Sequence, residues 1–280
     1  MNDFQAKLDI ILSVLKQTVY GSCAIALAGA HAKGTADISS DLDIYLFAEC
    51  FLPADQRHTL IRTISDPDKP IYISNNADGR PWGGSMDFYF DGIPVEINIR
   101  TFALVDKIVN DSLSGKFEIV PATWTSNGYY TYVYLSELNF IVPVWDPNGY
   151  LSMRKALVVT YPEPLRNAII RRFMDRAETW LDNFHYNTAI ERCDLLFIAP
   201  IILHTVLDMV QVVFALNRTY FNGDKKLEKA LNAMPLCPQF LKTKLSFLLT
   251  AAHDRTVLSN QRDILRSIRD ELKILIQQNG

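Results

Sequence analysis

Two aspartates, Asp41 and Asp43, begin an apolar run that extends to Phe47. An earlier apolar run, Ala24 to Ala28, is separated from it by a segment that contains two glycines. The pattern therefore predicts strand, turn and strand. Because alternate residues of a strand share a face, the two carboxylates point one way and the apolar residues between them the other. Carboxylates beside a small-residue loop that offers backbone N–H groups indicate a site for a divalent metal ion and phosphate.

A second alternating pattern surrounds Asp91-Gly92, a strong signal for a two-residue hairpin turn. The residues from Ser85 to Thr101 alternate between apolar and polar types on both sides of this turn, which predicts a β-hairpin. With a two-residue loop, Asp87 and Glu96 pair directly, with their Cβ atoms roughly 4.5–5.5 Å apart. Two carboxylates in this arrangement destabilise a sheet, and a metal ion or a shared proton would relieve the repulsion.

The elements around these patterns divide the chain into a mixed part and a helical part. Before residue 155 the pattern predicts helices over 3–18, 53–65 and 102–115 and strands over 71–74 and 140–145, with no clear period over 127–139. After Tyr161-Pro-Glu-Pro the pattern is helical throughout, with Thr188 and Glu191 as a capping box that opens a long helix to Leu216. Further helices are expected over 239–252 and 258–278.

We therefore expect an α+β fold with two domains. Residues 1–155 would form a domain with a mixed β-sheet and flanking helices, and residues 156–280 an all-helical bundle.

The net charge, the cysteines and the hydropathy exclude several classes of partner and site. The formal net charge is −3 at pH 7, without the basic stripe usual in duplex nucleic-acid binders, so we expect no nucleic-acid partner. The four cysteines are scattered, which argues against a disulfide framework and a zinc site. The N-terminus lacks the features of a signal peptide, and no run reaches the ~18 uninterrupted apolar residues of a membrane span. We expect a cytoplasmic protein with no membrane partner.

The first segment resembles the signature of the polymerase-β-type nucleotidyltransferases, usually written G-S, R-G, S-D-x-D. The matching residues are Gly29-Ala30, Gly34-Thr35-Ala36 and Ser40-Asp41-Leu42-Asp43, with the same spacing over fifteen residues. The resemblance is in particular to the small bacterial antibiotic nucleotidyltransferases of the aminoglycoside and lincosamide type. Ala30 stands where the family has a Ser that contacts the nucleotide phosphates. The backbone N–H remains there, and one hydrogen bond to the triphosphate is lost.

This resemblance implies a role for each candidate residue. Asp41 and Asp43 would bind two Mg²⁺ ions, and Glu96 would complete the second ion's ligand set or act as general base toward the acceptor hydroxyl. Asp87 is the reserve candidate for the third carboxylate and a further metal ligand. Similarity to a loop in uncharacterised bacterial relatives adds Lys225, and Lys226 beside it. The implied nucleotide-binding set is Gly29, Ala30, Lys33, Ser40, Lys225 and Lys226.

Simpler structural interpretations of these residues stay open. Ser-Asp-Leu-Asp could cap a turn into an edge strand, and Glu96 could be an exposed strand residue. Lys33, Lys225 and Lys226 could be solvated cations.

The expected function is Mg²⁺-dependent transfer of a nucleoside monophosphate, AMP from ATP, to a hydroxyl of a small molecule such as an antibiotic. One alternative is the same transfer to a protein acceptor, as in toxin–antitoxin systems. The other, suggested by Ala30, is a catalytically degenerate nucleotide-binding module. The acceptor, the nucleotide preference and the oligomeric state are open, with a homodimer as one alternative.

Overall fold

The computed structural model describes residues 3–34, 36–37, 40–74 and 80–279, which form two compact units. The first unit comprises the described residues through Ser112, with Phe117–Val120 and Tyr129–Thr160. The second comprises Leu113–Lys116, Pro121–Gly128 and the chain from Tyr161 onward. The domain bounds 1–155 and 156–280 stay a prediction.

A mixed sheet of six strands forms the centre of the first unit. The strands, in the order in which they lie side by side, are β3 (Tyr72–Ile73), β4 (Gly84–Phe90), β5 (Ile93–Thr101), β2 (Leu42–Phe51), β1 (Val19–Leu27) and β8 (Val142–Trp145). Strands β2 and β5 are parallel, and every other neighbouring pair is antiparallel. A separate ribbon pairs β6 (Ile119–Val120) with β7 (Tyr129–Tyr130). The expected α+β architecture with a mixed sheet is confirmed.

Among the described residues, six α-helices accompany this sheet: α1 (Asp3–Leu15), α2 (Gly29–Ala32), α3 (Ala54–Arg62), α4 (Phe102–Leu113), α5 (Val133–Phe140) and α6 (Tyr150–Leu157). The predicted helix at the N-terminus is confirmed, because Leu8, Ile11 and Leu15 recur at helical spacing and are buried. They pack with Ile61 of α3 against an apolar sheet face formed by Ile44, Leu46, Met86, Ile97 and Ile99. The opposite face carries the polar residues of β2, β4 and β5.

The hairpin has the predicted register. Strands β4 and β5 are joined by Asp91-Gly92, and Asp87 lies opposite Glu96. Both turn residues have positive φ, 51° and 76°, as a two-residue hairpin turn requires.

The second unit contains seven helices among its described residues: α7 (Glu163–Leu181), α8 (Phe184–Arg192), α9 (Leu195–Leu216), α10 (Leu227–Ala233), α11 (Gln239–Thr243), α12 (Leu245–Leu248) and α13 (Arg255–Asn279). The capping box predicted at Thr188 is wrong. The side chain of Asn183 caps α8 by accepting the His185 N–H at 2.8 Å, and the Thr188 hydroxyl donates to the Phe184 carbonyl inside that helix. Cys193, with φ of 54°, separates α8 from α9.

The single helix expected over 239–252 is also wrong, because two short helices and an irregular segment occupy this range. The side-chain amide of Gln261, on α13, donates to the carbonyls of Phe247, Leu248 and Thr250. These bonds replace the helical bonds that the carbonyls would otherwise accept.

Helix α9 is long and apolar enough to cross a membrane by composition alone, and 61% of its most apolar stretch is buried within the protein. The central helix of a bundle satisfies the same criterion. The expectation of no membrane-spanning segment therefore stays a prediction.

Candidate metal and nucleotide site

Three carboxylates meet at one end of the polar sheet face. Each of Asp41, Asp43 and Glu96 offers one oxygen, and the three oxygens lie within 4.8 Å of one another. Asp43 and Glu96 are register partners on the parallel strands β2 and β5, and Asp41 lies just before β2 begins. This set of oxygen donors is the kind that Mg²⁺ and Ca²⁺ prefer. We refer to these three residues as the carboxylate triad.

Gly29 lies directly against the triad. Its φ is +55°, and a Cβ placed on it would lie 1.7 Å from Oδ2 of Asp43, so the carboxylate occupies the space that any side chain would need. Next to it, the Ala28 N–H donates to the backbone carbonyl of Asp43 at 2.9 Å. The segment predicted as a plain turn therefore begins with one turn of helix, α2, whose first residue must be glycine.

Asp87 extends the row of acidic residues to a third strand. It lies opposite Glu96 on β4, but it is not among the carboxylates that converge within 4.8 Å. Burial, and next the charge of Glu96, raise the pKa of Asp87 to about 6, although the Ser85 hydroxyl donates to its carboxylate at 3.2 Å. The assignment of Asp87 as a metal ligand stays a prediction.

The other residues of the motif have partners outside the triad or lie in α2. The Ser40 hydroxyl accepts the Asp37 N–H at 2.9 Å and donates to the Asp37 carboxylate at 3.2 Å. The Lys33 ammonium lies 5.5 Å from the centroid of the Phe140 ring. Ala30 lies within α2, and Thr35 of the motif lies outside the described residues.

Lys225 and Lys226 belong to the second unit. They form the turn that precedes α10, where Lys226 has a φ of 62°. Because the triad belongs to the first unit, a role of these lysines in nucleotide binding stays a prediction.

Sequence reasoning missed a buried charge cluster at the other end of the polar face. Arg100, on β5, is 3% exposed and forms a bidentate ion pair with Glu137 of α5, in which Nη1 and Nη2 both donate. The Tyr45 hydroxyl donates to the same carboxylate at 2.7 Å, and burial together with Glu137 raises the pKa of Tyr45 well above its ordinary value. The guanidinium lies 3.9 Å from the centroid of the Tyr134 ring.

A polar residue at an otherwise buried position of a strand is the signal that could have indicated this cluster. Tyr45 and Arg100 occupy such positions in their strands. Their partner Glu137 falls in the segment for which the sequence shows no clear period.

Comparison with protein-family models and with curated proteins gives no match for this chain. Comparison with solved structures finds similarity to a crystal structure described as a nucleotidyltransferase-like protein from Exiguobacterium sibiricum. The alignment covers 98% of this chain and 74% of that chain, with 10% sequence identity and a TM-score of 0.46. Similarity at this level does not establish a family or an activity for this chain. The site itself defines a class: a carboxylate triad suited to a divalent metal ion on a mixed sheet.

Proposed function

We propose that this chain is a divalent-metal-dependent nucleotidyltransferase. The observation that carries the proposal is the convergence of Asp41, Asp43 and Glu96 within 4.8 Å, although Glu96 comes from a strand that is distant in sequence from the two aspartates. Two of these residues belong to the segment that resembles the nucleotidyltransferase signature, and the third comes from a later strand, as that resemblance implies. In the proposed reaction an acceptor hydroxyl attacks the α-phosphate of a nucleoside triphosphate in line, and pyrophosphate leaves.

The residues present fit Mg²⁺. All three donors are carboxylate oxygens, and the missing side chain of Gly29 leaves room for the Asp43 carboxylate. When bound, Mg²⁺ stabilises charge on the attacking and leaving oxygens. Binding a cation would also relieve the repulsion between the neighbouring carboxylates of Asp43 and Glu96.

The chain's own groups would bind and orient the substrates. Lys33, Ser40, Lys225 and Lys226 are proposed to contact the phosphates, and the backbone at Gly29 and Ala30 to approach them closely. Glu96 either completes the metal ligands or accepts the proton of the acceptor hydroxyl. We propose AMP from ATP as the transferred group, and a small hydroxylated molecule such as an antibiotic as the acceptor.

The decisive experiment is calorimetric titration of a non-hydrolysable ATP analogue with Mg²⁺ into the wild type, Asp41→Asn and Asp43→Asn. The exposed Asp68 provides a matched control, Asp68→Asn, which makes the same change of charge away from the triad. We expect binding by the wild type and the control and its loss in both triad variants. Equal binding by all four proteins would contradict a site at the triad.

Ala30 favours one competing function, a nucleotide-binding module without turnover, because the family's phosphate-contacting Ser is absent. Incubation with [α-³²P]ATP and a panel of hydroxylated compounds separates the candidates, because the label follows the transferred nucleotide while the unlabelled pyrophosphate is assayed separately. Label transferred to a compound supports the proposed enzyme, and label transferred to an added protein supports a protein acceptor. Binding of nucleotide and metal without pyrophosphate release supports the module.

A further inference from the structure

Helix α9 carries a buried carboxylate within the most apolar helix of the described chain. Asp208 is 2% exposed, and burial raises its pKa to about 6. It accepts a hydrogen bond from Asn127 Nδ2 at 3.1 Å and pairs with Arg176 Nε at 3.2 Å. A buried carboxylate is costly unless such partners surround it, so the cluster holds these side chains in a defined arrangement.

Asp208 fixes one of two arginines on the same face of α7. Arg172 and Arg176 are four residues apart and therefore neighbours on the helix surface. The Arg176 side chain is 32% exposed and also donates from Nη2 to Asn127 at 3.4 Å, while Nη1 has no protein acceptor in the described part of the chain. Arg172 is exposed, and its charge lowers the pKa of Asp208, but the described residues offer it no hydrogen bond or ion pair.

The segment that contains Asn127 also contacts the turn that carries Lys225 and Lys226. The Ser126 N–H donates to Asp224 at 3.2 Å, and Asp224 immediately precedes Lys225 and Lys226. Asp208 and Asp224 are both engaged by neighbouring groups of the protein, and Asp175 is the exposed carboxylate of this stretch of α7. The exposed charge here is therefore mainly positive.

We propose that Arg172 and Arg176, the α7 arginine surface, bind an oligophosphate, either the phosphate chain of a nucleoside triphosphate or the released pyrophosphate. Guanidinium groups donate two parallel hydrogen bonds to phosphate oxygens, and a guanidinium already held in place loses less conformational freedom on binding. Asp208 is then a positioning residue, because it holds Arg176 from the buried side of the helix without contacting the ligand. The inference rests on the proposed function, which supplies an oligophosphate as substrate and as product.

The test is calorimetric titration of inorganic tripolyphosphate into the full chain in the presence of EDTA, so that metal at the triad plays no part. Arg171 is an exposed neighbour on α7 and gives a matched control. We expect Arg172→Gln to weaken binding by about tenfold or more, and Arg171→Gln to change it less than about twofold. No binding by the wild type, or equal losses in the two variants, would overturn the proposal.

A second variant separates positioning from packing. Asp208→Asn keeps an acceptor for Asn127 but releases Arg176, and we expect weaker tripolyphosphate binding at unchanged helicity. If its affinity equals that of the wild type, Asp208 has no positioning role. Repeating the titration with ATP and with pyrophosphate shows which ligand depends on Arg172.

Failure of the proposed function is detected separately, by titrating Mn²⁺ alone into the wild type and Asp43→Asn. Absence of Mn²⁺ binding with intact tripolyphosphate binding would count against the triad and leave the α7 arginine surface in place.

Discussion

Strands β2 and β5 carry charge at both ends of one sheet face, and the two ends are built in opposite ways. At one end Asp43 and Glu96 are neighbours, and Asp87 lies on the far side of Glu96, so like charges are adjacent. At the other end the buried guanidinium of Arg100 meets the carboxylate of Glu137.

The difference shows how the same chemical groups serve two purposes. A buried charge with its partner and hydrogen bonds in place has a structural role. Removing either member leaves the other buried without a counter-charge, which lowers the free energy of unfolding. Adjacent carboxylates weaken the sheet that holds them unless a bound cation or a shared proton relieves the repulsion, so such a cluster marks a candidate functional site.

The largest effect on stability is expected from breaking the ion pair between Arg100 and Glu137. Glu137→Ala leaves the Arg100 guanidinium buried without its counter-charge, so we expect the free energy of unfolding to fall by about 3–5 kcal/mol. Urea unfolding measures this change. The double variant Arg100→Met/Glu137→Leu removes both charges and should recover most of the loss. A single variant as stable as the wild type would show that the ion pair is not structural.

The next largest effect is expected at Gly29, where a substitution should change both stability and metal binding. Gly29→Ala places a Cβ on the Asp43 carboxylate, so we expect about 1–3 kcal/mol of destabilisation and weaker Mn²⁺ binding. Gly149→Ala is the control, because Gly149 has a similar φ of +68° with nothing within 4 Å. If both variants lose stability equally and bind Mn²⁺ alike, the close approach to Asp43 is unimportant.

A smaller effect is expected from pH at the acidic end. With its pKa raised to about 6, folded Asp87 holds a proton that the unfolded chain has released, so the free energy of unfolding falls as pH rises from about 4 to 6. Asp87→Asn should abolish this decline and be more stable at pH 7 by about 1 kcal/mol, after allowance for solvent screening. Thermal unfolding across this range measures both curves, and parallel curves would contradict the assignment.

The smallest effect is expected for Asp43→Asn without metal. Removing one of the adjacent charges should leave stability unchanged or raise it by about 0.5 kcal/mol. With Mg²⁺ added, the Tm of the wild type should rise and that of the variant should not. A sharp loss of stability in metal-free Asp43→Asn would mean that this carboxylate is a structural group.

The sequence predicts the features whose cause is local. Asp91-Gly92 specifies a two-residue turn, and that turn alone sets Asp87 opposite Glu96. The position of Glu96 next to Asp43 depends instead on the parallel pairing of β2 with β5, which no local pattern encodes. The resemblance, and not the periodicity, pointed to Glu96 as the third carboxylate.

The misses arise where a competing local signal or a distant side chain overrides the predicted one. Thr188 and Glu191 have the spacing of a capping box, but Asn183 begins the helix earlier and Cys193 ends it. Gln261 binds the carbonyls of a segment that would otherwise continue as helix. The partnership of Arg100 with Glu137 joins residues 37 positions apart, which periodicity cannot detect.

The parallel pairing of β2 with β5 also has a kinetic consequence. Asp43 and Glu96 become neighbours only after the chain closes a loop that contains α3, β3 and β4, so their contact is among the long-range contacts that form slowly. A fragment that ends before β5 lacks the third carboxylate altogether. Recovery of Mn²⁺ binding during refolding would therefore follow the pairing of β2 with β5, and it would time that step.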